Sequence, residues 1–152
     1  MPNGIVYDTT MAGPQIVIDT NVLIAALRSN QGASFRLLSL IGSGKFEINL
    51  SVPLVLEYEE AAKRLIDAIP LSSADIDAVI DYLCKASNHW SISYLWRPLL
   101  RDPNDDMVLE LAVGSGSQFL VTFNTKDFGE AQQFRIKVQT PREYLAHIGE
   151  LP

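Results

Sequence analysis

The chain has 152 residues, enough for one domain with a buried core. Hydrophobic residues make up 47% and the formal net charge is −6. That excludes a disordered chain and a protein that grips nucleic acid through a broad basic surface, but not an acidic site that gathers cations.

From the N-terminus, residues 1–13 have no charged start leading into an apolar core. They read as part of an extension (1–14), with Met11 as an alternative start, and not as a secretory leader. A domain over 15–148 and a tail over 149–152 complete the organisation. Residues 16–18 (Ile-Val-Ile) form a β-branched apolar run closed by Asp19, the pattern of a strand buried on both faces. Residues 22–28 read as a helix, 29–32 as a break, and 33–41 as a second helix closed by Gly42-Ser43-Gly44. Phe46, Ile48 and Leu50 alternate with polar residues, as in a strand.

Ser51 is placed to cap a helix starting around Pro53, with Leu54, Tyr58, Ala61 and Leu65 as its apolar stripe. Ser72 and Asp75 resemble a capping box for the next helix, whose face is Ile76, Val79, Ile80 and Leu83. The apolar stretch around Ile92 reads as a short strand. Asp102-Pro103 opens a helix through about Val113, with Met107, Val108, Leu111 and Ala112 inward. Residues 119–122 read as a buried strand, 136–138 as a last strand and 141–147 as a last helix. Strands alternating with helices imply a parallel sheet covered on both faces.

Cys84 is the single cysteine, so no intramolecular disulfide forms. With only His89 and His147 beside it, a Cys/His zinc site is not expected. A cytoplasmic, reducing setting follows as the expectation. No apolar run reaches the roughly 18–20 residues of a membrane span. Residues 53–81 carry seven acids against Lys63 and Arg64, so most of the net charge lies there, as on a solvated helical face.

Binding sites in open parallel sheets collect at the carboxyl ends of strands. Asp19, Thr20 and Asn21 follow the first strand, and Asn124 and Asp127 follow the 119–122 strand. Glu57 lies early in the helix after the second strand, closest of its neighbouring glutamates to the apolar stripe. Asp105 and Asp106 open the helix that leads into the 119–122 strand. Several carboxylates in one pocket stay ionised together only if a cation neutralises them, and all-oxygen ligands suit Mg²⁺ or Mn²⁺. Each acid also has a plainer role: Asp19 and Asp102 as helix caps, Asp105 and Glu57 answering a helix dipole, Asp127 in a turn.

Taken in order, Ile-Val-Ile-Asp19-Thr20-Asn21-Val22-Leu23, Glu57, Arg101-Asp102-Pro103-Asn104-Asp105-Asp106-x-x-Leu109-Glu110-Leu111-Ala112 and Leu120-Val121-Thr122-Phe123-Asn124-Thr125-Lys126-Asp127-Phe128 resemble a PIN-domain protein. The resemblance is greatest to the VapC-like toxin components of bacterial toxin–antitoxin systems. It implies an α/β fold, a three-layer α/β/α sandwich with a central, mainly parallel sheet. It implies a Mg²⁺- or Mn²⁺-dependent endoribonuclease that cuts single-stranded RNA, forms a homodimer and is neutralised by a small antitoxin.

By that resemblance Asp19, Glu57 and Asp106 are the metal ligands, with Asp105 a rival for the third place. Thr20 and Asn21 support the first. Many members carry Asp where Asn124 stands, so either Asp127 supplies the fourth carboxylate of the catalytic set or the site runs on three acids. Arg28, Arg36, Arg97, Arg101 and Lys126 are candidates for backbone contacts. Two other readings compete. One is a non-catalytic nucleic-acid or protein binding module on the same fold. The other is a phosphatase of the haloacid dehalogenase type, which needs a second Asp where this chain has Asn21.

Overall fold

The centre of the sheet is β1 (Gln15–Ile18), whose Ile16, Val17 and Ile18 are all buried. The computed structural model describes residues 13–92 and 102–151. Around β1 lie β2 (Glu47–Leu50), β3 (Asn88–His89), β4 (Phe119–Val121) and β5 (Lys137–Gln139). The order is β3-β2-β1-β4-β5, and every pairing is parallel. The calls on Met11, Arg97 and Arg101 lie outside the described residues, as does most of the proposed extension.

Six helices flank the sheet: α1 (Thr20–Arg28), α2 (Ala33–Ser39), α3 (Val52–Arg64), α4 (Ser73–Ala86), α5 (Pro103–Gly114) and α6 (Pro141–His147). Two 3₁₀ segments, Ile66–Ala68 and Thr125–Phe134, complete the described elements. From β1 the chain steps outward through β2 to β3, then returns across the sheet to β4 and β5. Right-handed crossovers therefore put α1 to α4 on one face and α5 with the long 3₁₀ segment on the other. The contacts agree: α1 packs on α2 and α3, α3 on α4 and α2 on α6, while α5 packs on the Thr125–Phe134 segment. The result is the expected α/β sandwich.

Local chemistry sets the helix starts. Asp19 accepts from the Thr20 amide at 2.8 Å, and Ser51 from the Leu54 amide at 3.3 Å. Ser72 and Asp75 form the full capping box, as do Thr140 and Glu143 before α6. Because Asp19 is itself the cap, α1 begins at Thr20, two residues before the apolar pattern suggests. Inward positions of α5 are Val108, Leu109, Leu111 and Ala112, while Met107 is only half-buried.

The strand expected around Ile92 forms earlier, at Asn88–His89. An edge strand of exposed polar residues has no apolar pattern to read. What fixes it is side-chain bonding: Asn88 Nδ2 donates to Glu47 Oε1 at 2.8 Å and to Asn49 Oδ1 at 3.3 Å. Buried Asn49 in turn donates to Ser117 Oγ at 2.8 Å and accepts from Trp90 Nε1 at 3.0 Å. Ile92 lies past the strand against α5, where a Cβ on Gly114 would come within 2.7 Å of its Cδ1.

Candidate active site

The return of the chain from β3 to β4 creates a switch point between β1 and β4, where a parallel sheet opens a crevice at its carboxyl edge. Asp19 stands at the end of β1 in that crevice. It is 8% exposed and, among the described residues, is the one buried acid. Its amide donates to the Val121 carbonyl at 2.9 Å, which ties the ends of β1 and β4 together. Its carboxylate accepts from the Thr20 amide and from Thr122 Oγ1, both at 2.8 Å. Burial pushes its pKa up, those two hydrogen bonds pull it down, and Asp102 and Asp127 push it up again.

Thr122 is a junction. Its hydroxyl oxygen accepts from the Asn124 amide at 3.0 Å and from Asn21 Nδ2 at 3.4 Å. Asn21 Oδ1 accepts from the Phe123 amide at 3.4 Å. The turn after β4 is therefore fastened to the start of α1 by side chains from both. Beneath Asp19, the buried Tyr58 hydroxyl donates to the Ile18 carbonyl. Burial drives the Tyr58 phenol far above its ordinary range, so it stays a donor.

A cleft of about 410 Å³ opens over these groups, and Asp19, Glu57, Asp102 and Asp105 all line it. Glu57 is half-buried on α3, and burial together with Glu60, Asp19 and Asp102 raises its pKa against the pull of Arg64. Asp105 is pushed up to about 6, chiefly by burial and then by Asp19, Asp102 and Asp127. Thr20, Asn21 and Asn124 also line the cleft, whereas Asp106 and Asp127 are not among its lining side chains. Asp127 still acts on Asp19 and Asp105 through its charge.

Asp102 does two things. It caps α5 by accepting from the Asn104 amide at 2.9 Å, as its place before Pro103 implies, and it faces the cleft. Sequence reasoning gave it only the first role. Thr122 and Tyr58 carry no role at the site in a sequence reading, Tyr58 standing there only as part of an apolar stripe. The available signal for Thr122 was a hydroxyl ending the strand beside the one that ends in Asp19.

The acids have the chemistry of a hard-cation site. Their donors are all oxygens, their like charges raise one another's pKa, and Thr20 Oγ1, buried beside Asp19, has no hydrogen-bond partner among the described residues. Among those residues no group of three or more His, Cys, Asp or Glu lies close enough to clasp one ion directly.

The family profile of the PIN domain matches residues 15–126. The chain belongs to the PIN-domain family. PIN domains are nuclease folds, generally metal-dependent, that act on nucleic acids. The match covers the switch-point cleft of this PIN domain, with Asp19, Glu57, Asp102 and Asp105 inside it and Asp127 one residue beyond its end. Comparison with curated proteins finds no match. No helix among the described residues is long and apolar enough to cross a membrane.

Proposed function

We propose that this PIN domain is a metal-dependent endoribonuclease that cuts single-stranded RNA. The observation that carries the reading is the buried Asp19 at the β1/β4 switch point, facing Glu57 and Asp105 across one cleft. Asp19, Glu57 and Asp105 would hold Mg²⁺ or Mn²⁺, in part through water. When bound, the ion would activate a water and offset the charge that builds on the phosphodiester. Thr20 and Thr122 aim the Asp19 carboxylate and favour its charged form, Asn21 and Asn124 hold the turn beside it, and Asp127 adds negative charge from outside the cleft.

Asp105 takes the third place in this reading because it lines the cleft and shares the field of Asp19. Asp106, one step further round α5, remains the alternative ligand. The biological role in this proposal is that of a cytoplasmic VapC-like toxin, a homodimer restrained by a small antitoxin.

The test is incubation of purified protein with mixed-sequence single-stranded RNA, comparing Mn²⁺ with EDTA and wild type with Asp19→Asn. Cleavage that needs both the ion and Asp19 supports the reading. One observation favours a second reading, a binding module without catalysis: no three acids are grouped tightly enough to clasp an ion among the described residues. Calorimetric titration with Mn²⁺ separates the two, because a binding module of that kind would take up no ion at Asp19.

A further inference from the structure

We infer that Phe123 is a stacking platform for one unpaired base of the RNA, with Arg28 as the contact to a phosphate beside it. The inference rests on the nuclease reading for its ligand and goes beyond it to how that ligand is held.

Phe123 is the second residue after β4 and is 48% exposed, yet it lines the acidic cleft. Turn positions at a strand's carboxyl end favour Asn, Asp or Gly, so a large apolar ring has no local reason to stand there. It is not a loose surface side chain. Its own amide donates to Asn21 Oδ1 and the next amide donates to Thr122 Oγ1, so the backbone beneath the ring is fixed to the residues that hold Asp19. A fixed, exposed aromatic face beside a phosphodiester-cutting site suits a nucleobase, and only an unstacked base offers its own face to it.

Among the described residues, the cations of the cleft are Arg28 at the end of α1 and Arg64 on α3. Arg64 pairs with Glu60 at 3.6 Å and pulls on Glu57. Arg28 is exposed and makes no ion pair among the described residues. A planar guanidinium without a carboxylate partner matches a phosphate. The four acids of the cleft would repel the backbone, so an unpaired cation at its edge fixes where a phosphate enters.

The experiment uses the full chain carrying Asp19→Asn, so that RNA is bound and not cut, and a fluorescent mixed-sequence single-stranded RNA. Adding Phe123→Ala should weaken binding on the order of tenfold, and Phe123→Trp should restore it. A fully paired RNA of equal length should show no such dependence on residue 123. Arg28→Ala should reduce the slope of log Kd against log salt by about one phosphate contact. Circular dichroism melts confirm that the variants fold. An affinity changed less than about twofold by Phe123→Ala overturns the inference, as does single-stranded RNA that fails to bind at all. The two readings part cleanly: wild-type cleavage with KM indifferent to Phe123 sinks this inference alone. Binding that depends on Phe123 without any cleavage by wild type sinks the nuclease reading alone.

Discussion

Thr122 Oγ1 donates to Asp19 Oδ2 at 2.8 Å, across 103 residues of sequence, and is the side-chain bond that pulls down the pKa of the one buried acid of the described chain against the effect of its burial. Thr122→Val keeps the shape and removes the donor. The Asp19 carboxyl should then titrate higher, and the acid limb of the pH–rate profile should move to higher pH. The fold should lose about 1–2 kcal/mol, because Asn21 and the Asn124 amide lose their acceptor too. Thr122→Ser should keep the wild-type profile. A profile unmoved by Val would show that the hydroxyl does not set the state of Asp19.

Asp105 and Asp106 differ in what they face. Asp105→Asn should lower kcat/KM on the order of 100-fold, while Asp106→Asn should stay within about tenfold of wild type. Single-turnover cleavage with each variant at saturating Mn²⁺ decides it. The opposite ranking would return the third place to Asp106.

In the proposed site, proton and metal would compete at the same acids. Asp105 titrates at about 6 in the fold, above its ordinary value near 3.8, so folding favours its protonated form. That stabilisation is complete below about pH 4 and is lost as pH rises through 6. Because Asp105 is only half-buried, solvent screening reduces the effect to roughly 1 kcal/mol. Metal-free protein should therefore lose part of this increment between pH 5 and pH 8, and Asp105→Asn should reduce the difference. Mn²⁺ at 100 times its Kd should add about 2.7 kcal/mol at pH 8, and less at pH 5. Thermal melts at both pH values, with and without Mn²⁺, check the sign of each change.

Tyr58 supports Asp19 from below through the Ile18 carbonyl. Tyr58→Phe leaves that carbonyl without its phenolic donor and should cost about 1–2 kcal/mol of stability. Since Ile18 directly precedes Asp19, kcat should fall while KM holds. An unchanged kcat would assign Tyr58 to packing alone.

Much of this architecture is legible because it rests on local chemistry. Ile16 to Ile18 could only be a strand covered on both faces, and the caps at Asp19, Ser51, Ser72 and Asp102 mark helix starts by side chains a few residues from the amides they satisfy. The edge strand at Asn88–His89 is illegible because Asn49 and Glu47, about 40 residues earlier, are what hold it. The same distinction governs the site. Asp19 and Glu57 stand out by position relative to their own elements. Choosing between Asp105 and Asp106 needs the direction in which α5 crosses the sheet, and the roles of Thr122 and Phe123 exist only once β4 lies beside β1.

That adjacency has a consequence for the order of events during synthesis. β1 leaves the ribosome well before its neighbour β4, which follows after α5, some 100 residues later. Until then Asp19 lacks both the Val121 carbonyl that anchors its amide and the Thr122 hydroxyl that holds its carboxylate. Closing so long a loop is slow compared with forming the helices between. A nascent chain that already displays Asp19 and Glu57 thus has no assembled cleft around them until the segment carrying α5 and β4 docks.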